Sequence, residues 1–315
     1  MKLWITRPLP EAILNAARAE FDVEMRESTA PLNDEELRRA LRDFDVVLMT
    51  LGDQFSADVF KDVPEPRAKM LANFGVGYNH VDVDAAKAAG IVVSNTPGAV
   101  TDATADTAMT LMLMSARRAA EGERLVRSGA WEGWHPTQML GLHLTGKHVG
   151  IVGMGRIGQA IARRCHFGFE MSVSYFNRSA KQMDFPSTQV ATLTKLAAQV
   201  DVLVVAVPGG PTRHLINADV LAAMQPHAHL INIARGEVVE EAALIAVLEA
   251  GAIGGAGLDV YEFEPKVPDA LKELDNVTLL PHLGTATLEV RTSMGLMAVD
   301  NAIAFSQGKP LPNPV

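Results

Sequence analysis

Residues 148–164 read "HVGIVGMGRIGQAIARR". A short apolar run of strand type gives way to Gly153, Gly155 and Gly158, spaced G-x-G-x-x-G, and then to an amphipathic helix pattern. Three glycines alone would describe any tight strand-to-helix turn. In this setting each does something different. Gly153 makes the turn, Gly155 lets an anionic ligand approach the backbone, and Gly158 lets the helix close onto the strand. Arg156 and Ile157 open the helix, where unpaired N–H groups and the helix dipole favour a pyrophosphate. The stretch predicts a dinucleotide-binding βαβ unit inside a doubly wound α/β fold.

The next apolar run, "MSVSYF", ends at "NRSAKQ", residues 177–182. An NAD site carries a carboxylate about 20 residues past its glycines to hold the ribose hydroxyls. Here that place is taken by Asn177, followed by Arg178, Ser179 and Lys181. A carboxylate repels a 2′-phosphate, whereas Arg, Ser and Lys attract it and hydrogen-bond to it. The expected cofactor is NADP(H), with NAD(H) possible; the alternative is a solvated Arg and Lys after an ordinary strand.

Outward from this unit, strand and helix patterns alternate along the chain. Before it come "LWIT", "PEAILNAARAE", "DVEM", "NDEELRRALRD", "DVVLMT", "AKMLANFG", "VDAAKAAG" and "IVVSN". After it come "VDVLVVAV", "HLINIA", "IGGAGLDV" and "VTLLPH", mostly separated by helical segments. Short continuous apolar runs between amphipathic helices predict parallel strands buried on both faces. Asn33 or Asp34 caps one helix and Asp82 another, with Gly90 as its stop. One long apolar helix is expected over "TDATADTAMTLMLMSARRAAEGERLVRSG", capped by Thr101 or Asp102, its Met and Leu stripe serving a core or a subunit interface. The chain closes with the amphipathic "ATLEVRTSMGLMAVDNAIAFSQG" and a Pro-rich tail, "KPLPNPV".

Two doubly wound parallel-sheet domains fit this order. Residues 1–98, completed by 285–315, form one, and residues 99–284 form the dinucleotide-binding domain. The 315-residue length agrees with two cores, and 48% hydrophobic against 21% charged residues excludes a disordered chain. Twenty-eight Lys and Arg against 37 Asp and Glu give a net charge of −9, which argues against nucleic acid or an anionic membrane as partner. With no secretory leader and no apolar stretch of membrane-spanning length, a soluble cytoplasmic protein is expected. Cys165 is the only cysteine, so no internal disulfide is possible, and a buried structural thiol is expected there.

Three pieces combine into chemistry. "LINIARGEVVEEAAL" ends a strand at Arg235-Gly236, "GAGLDVYEFEP" runs through Asp259 to Glu264-Pro265, and "VTLLPHLGTAT" ends one at Pro281-His282. Ligands of open α/β sheets lie at the carboxyl ends of strands. A cation, a carboxylate and a histidine placed there are the parts needed to reduce a keto acid. His227 and His229 form an H-x-H, read as a polar turn rather than a metal site because no third ligand stands nearby in the sequence; no metal is expected.

With these motifs in place the sequence resembles the D-isomer-specific 2-hydroxyacid dehydrogenases, and within them the glyoxylate/hydroxypyruvate reductase branch. The matching pieces are "NFGVGYNHVDV", "NTPGAVTDATAD", "GIVGMGRIGQAIARR", "NIARGEVVEEAAL", "GLDVYEFEP" and "LLPHLGTAT", in order along nearly the whole chain. The resemblance implies a Rossmann domain joined to a flavodoxin-like substrate domain. It implies Arg235, Glu264 and His282 as catalytic residues, and the backbone N–H groups of Val76 and Gly77, with Arg235, as ligands of the substrate carboxylate. Thr104 and Asp259 are implied at the cofactor, Asp259 holding the nicotinamide carboxamide. Two departures stand out: "VAVPGGPTRHLI" is about one residue shorter than the family's loop, and Gln138 stands where some hydroxypyruvate-preferring relatives carry Trp, with Trp131 and Trp134 close by in sequence.

The chemistry of the residues agrees with that carry-over. Arg235 can fork onto the carboxylate and the reacting carbonyl, and His282 can donate the proton. Glu264, bonded to the other ring nitrogen, orients the imidazole and favours its protonated form. The expected activity is NADPH-dependent reduction of glyoxylate and hydroxypyruvate to glycolate and D-glycerate by a homodimer. The rivals are an NADH-dependent enzyme for another 2-keto acid and a cofactor-sensing, corepressor-like binding protein.

Overall fold

The computed structural model describes all of residues 1–315. The chain divides into two compact units, Met1–Val100 with Ala286–Val315, and Thr101–Thr285.

The first unit holds a five-stranded parallel sheet: β1 (Lys2–Ile5), β2 (Asp22–Met25), β3 (Val46–Thr50), β4 (Met70–Phe74) and β5 (Val92–Ser94). The spatial order is β2-β1-β3-β4-β5, the order of flavodoxin-like folds. All five residues of β3 are buried, as expected of a strand covered on both faces. Asn33 caps the helix Asp34–Asp43 in a capping box, its side chain accepting the Glu36 N–H while the Glu36 carboxylate accepts the Asn33 N–H. Asp82 caps Val83–Ala88 through the Ala85 N–H. The closing helix Leu288–Ser306 packs on this unit at Gly295, where an added Cβ would overlap Ile13. The tail is fixed as well: Val315 N–H donates to Val93 C=O, and Asn313 exchanges hydrogen bonds with Asn301.

The second unit holds seven parallel strands: β6 (His148–Val152), β7 (Ser172–Phe176), β8 (Ser187–Gln189), β9 (Val202–Val205), β10 (His229–Asn232), β11 (Gly255–Leu258) and β12 (Val277–Leu279). Their order, β12-β11-β10-β9-β6-β7-β8, is that of a Rossmann sheet with one further strand. The chain runs outward from β6 through β7 to β8, then crosses back to place β9 on the other side of β6. The crevice beyond the carboxyl ends of β6 and β9 is therefore the topological switch point.

Two expectations need correction. The single helix expected from residue 101 to 129 is two, Thr101–Ala116 and Ala119–Arg127, broken where Arg118 adopts a left-handed φ of 54°. The first begins at Thr101 itself, and the Asp102 carboxylate takes Arg164 rather than capping the helix. His229 is not in a turn: it begins β10, buried, with its Nδ1 2.8 Å from Ser115 Oγ. Only His227 lies in the turn, paired with Asp201 at 2.7 Å. Met109, Leu111 and Met112 of the first helix pack in the core of their own unit, so that core accounts for most of the apolar stripe. Cys165 is buried there too, its thiol pushed up to about 12 by burial, which makes it an inert packing residue.

Candidate active site

The glycine turn sits in the switch-point crevice. Gly153 has a φ of +96°, and a Cβ on it would come within 2.6 Å of the Ala206 carbonyl oxygen just past β9. A Cβ on Gly158 would overlap the Gly153 carbonyl, so helix and strand close only without one. Gly155 differs from both: nothing lies within 4 Å of where its Cβ would stand. The missing side chain there leaves room for a ligand rather than for the protein. Gly155 is the N-cap of the helix Arg156–Phe169 and brings no side-chain cap, so the N–H groups led by Arg156 and Ile157 have no capping side chain. These features fit an anionic dinucleotide.

Asn177, at the end of β7, joins this turn to the segment after it. Its Oδ1 accepts the Met154 N–H at 3.2 Å and its Nδ2 donates to Ser179 C=O at 2.8 Å. Tyr175 clamps the far end, its hydroxyl donating to Lys181 C=O and accepting the Lys181 N–H. The bend 177–181 is thus held by side chains that point inward, while Arg178 and Ser179 stand exposed and their side chains make no hydrogen bond or ion pair.

The second cluster lies beyond the adjacent strands β10, β11 and β12. The Asn232 side chain receives the Ala234 N–H and donates to Arg235 C=O, fixing the backbone that carries Arg235. Gly236 follows because a Cβ there would overlap the Tyr261 backbone. Burial pulls the Arg235 guanidinium below its usual value, opposed by the charges of Glu264 and Glu237. The sequence reading missed Glu237. Its Oε1 accepts the Gly210 N–H at 2.7 Å and would lie 2.7 Å from a Cβ on Gly209, so it ties the turn after β9 against the Arg235 stem. Glu237 stands inside "ARGEVV", but the 27 residues back to Gly210 are closed only by the sheet.

Glu264 and His282 meet, with Oε2 2.9 Å from Nδ1. The other carboxylate oxygen accepts the Tyr261 N–H at 3.0 Å. Burial opposes ionisation of Glu264, but the hydrogen bond and charge of His282, the Tyr261 N–H and Arg235 together hold its carboxyl below the usual range. With Nδ1 engaged, His282 Nε2 is the ring nitrogen left to exchange a proton. Asp259 shapes this turn: its two carboxylate oxygens accept the Leu283 N–H at 2.6 Å and the Gly284 N–H at 2.8 Å, and its carbonyl accepts the His282 N–H. His282 accordingly adopts a left-handed φ of 55°. Thr104 Oγ1 donates to Gly284 C=O at 3.3 Å, supporting the turn from the buried face of its helix.

Among the remaining candidates, Val76 and Gly77 follow β4 in the first unit. Trp131 and Trp134 are exposed, and Trp131 Nε1 is 3.4 Å from Gln138 Oε1. No helix is long and apolar enough to cross a membrane.

Comparison with known proteins bears on this geometry. Residues 109–284 match the family described as D-isomer specific 2-hydroxyacid dehydrogenase, NAD binding domain. The chain is 42% identical to a glyoxylate reductase of Pyrococcus furiosus, covering 98% of this chain and 93% of the relative. It is 36% identical to a glycerate dehydrogenase of Hyphomicrobium methylovorum, covering 95% and 94%. A crystal structure of an NADPH-dependent glyoxylate/hydroxypyruvate reductase from Sinorhizobium meliloti, in complex with NADP and malonate, aligns with a TM-score of 0.88 and 38% identity over 100% of this chain and 96% of that one.

Proposed function

The chain belongs to the D-isomer-specific 2-hydroxyacid dehydrogenases, and from that premise we propose that it reduces glyoxylate and hydroxypyruvate to glycolate and D-glycerate, with NADPH preferred over NADH. In this reading the second unit holds the dinucleotide and the first, through Val76 and Gly77, receives the substrate carboxylate. The observation that carries the reading is the Glu264–His282 contact with the Arg235 charge beside it.

The reduced nicotinamide, when bound, supplies the hydride. Arg235 polarises the reacting carbonyl and stabilises the negative charge that develops on its oxygen. His282 donates the proton to that oxygen from Nε2, while Glu264 fixes the ring by Nδ1 and balances the imidazolium charge. Gly155 admits the pyrophosphate against the backbone, and the exposed Arg178 and Ser179 are offered to a 2′-phosphate. Asn177, which replaces the acid that would repel that phosphate, supports the NADPH preference. Asp259, with both oxygens bonded to the His282 turn, serves that turn as well as the carboxamide contact the family resemblance implies.

The enzyme works as a homodimer in this proposal. The test is oxidation of NADPH and NADH, followed by absorbance, against a panel of 2-keto acids. Turnover highest with glyoxylate or hydroxypyruvate and NADPH is expected; a best substrate of another class, or NADH preference, would displace the proposal.

A further inference from the structure

In the loop after β4 every peptide carbonyl from Gly75 to Gly77 is turned into the protein. Gly75 C=O accepts the Thr96 N–H and Asn73 Nδ2, both at 3.0 Å. Val76 C=O accepts Asn95 Nδ2 at 2.9 Å, and Gly77 C=O accepts Asn73 Nδ2 at 2.9 Å. In a planar trans peptide the C=O of one residue points opposite to the N–H of the next. Drawing Gly75 C=O toward Asn73 therefore turns the Val76 N–H away, and drawing Val76 C=O toward Asn95 does the same for the Gly77 N–H. Neither N–H has an acceptor in the protein. Two successive N–H groups directed away from the body of the fold form an anion site.

Such a loop does not hold this shape by itself. Gly75 and Gly77 flank Val76, and glycine lets a neighbouring peptide flip at little cost. A flipped 76–77 peptide would present an oxygen to an incoming carboxylate in place of an N–H. The two asparagines oppose that flip. Asn73 is buried and its Oδ1 is 3.1 Å from His80 Nε2, so its amide is oriented with both protons available to the loop. Asn95 is anchored from the other side, its backbone N–H donating to Asn313 C=O in the tail.

We propose that Asn73 and Asn95 are positioning residues for the carboxylate end of the substrate, acting by orienting the 75–77 peptides without touching the substrate. The inference rests on the keto-acid function proposed above. It is tested with Asn95→Ala and Asn73→Ala in the full chain, measuring glyoxylate kinetics with saturating NADPH, the NADPH dissociation constant, and, by calorimetry on NADPH-loaded protein, the dissociation constant for oxalate. The glyoxylate KM and the oxalate constant should rise about tenfold in each variant, as loss of charge-directed hydrogen bonds would cause. The kcat and the NADPH constant should stay within about twofold, a split that general damage to the fold would not produce. Unchanged glyoxylate KM and oxalate binding in Asn95→Ala would overturn the inference, even were Asn73→Ala not to fold. A wild-type protein that turned over no 2-keto acid would overturn the proposed function instead, and the oxalate constants would still decide the role of the two asparagines.

Discussion

Glu264 Oε2 lies 2.9 Å from His282 Nδ1, and the same carboxylate, through its other oxygen, holds the Tyr261 N–H. Glu264 is thereby fixed at both ends, and its ionised form is favoured in part by the hydrogen bond and charge of His282. In the proposed reduction His282 gives up a proton, and Glu264 supplies the negative charge that balances the ring carrying it. Glu264→Gln should move the alkaline limb of the keto-acid reduction profile, taken at saturating NADPH, to lower pH. A limb that stays put or moves upward would show that another group governs proton supply.

His282→Ala removes the proposed proton donor but leaves the glycine turn and the 177–181 bend untouched. NADPH binding, read by fluorescence titration, should be retained while turnover falls about 10²-fold or more. Near-normal turnover would leave a cofactor-binding role without the proposed chemistry.

Cofactor choice is tested at the end of β7. Arg178 makes no ion pair within the protein, so Arg178→Ala costs no internal contact and should raise the KM for NADPH much more than that for NADH. Asn177→Asp keeps an oxygen for the Met154 N–H but exchanges the amide that donates to Ser179 C=O for an acceptor. It should shift preference toward NADH, by ribose bonding and phosphate repulsion together. Equal changes for both cofactors in either variant would remove Arg178 and Asn177 from the discrimination.

A stability prediction comes from His229, buried at the start of β10, where burial and the charge of His227 bring its ring down to about 4 from 6.5. Below pH 6.5 the unfolded chain binds a proton that the folded chain refuses, so stability falls as pH drops from 6.5 toward 4 and this contribution levels off below that. The full loss is about 3 kcal/mol. Urea midpoints measured across this range should show a shallower acid decline in His229→Asn than in the wild type. Parallel curves would mean that other groups drive the decline.

Association is the remaining test. The first helix of the second unit buries Met109, Leu111 and Met112 in its own core, yet Leu113, Val126, Trp131, Trp134 and Leu140 remain exposed along Thr101–Arg127 and the segment after it. Sedimentation at micromolar concentration is expected to give a dimer, the exposed apolar side chains being those a second copy would cover. A monomer would leave the apolar helix as internal packing alone.

The sequence by itself determined the features that depend on local pattern. Buried parallel strands read as unbroken apolar runs, and the glycine spacing after β6 carries its own steric logic, so the α/β class and the site of the turn were legible in the chain alone. Arg235, Glu264 and His282 could be picked out as candidates in the segments that follow apolar strands, and the structure brings Glu264 and His282 into contact. The break at Arg118 was not, because a left-handed residue within a helical pattern leaves no periodic signal. His229 was misplaced because its neighbour His227 is polar and exposed, while its own burial depends on Ser115 arriving from a helix 114 residues earlier.

Tertiary structure alone decided how the polar groups are used. Hydrogen bonds are short-ranged and directional, whereas the partners here are far apart in the chain: Glu237 with Gly210, Asp259 with Leu283 and Gly284, Asn95 with Val76. Sequence supplies the donors and acceptors, but only the sheet order, by setting strand ends side by side, determines which of them meet.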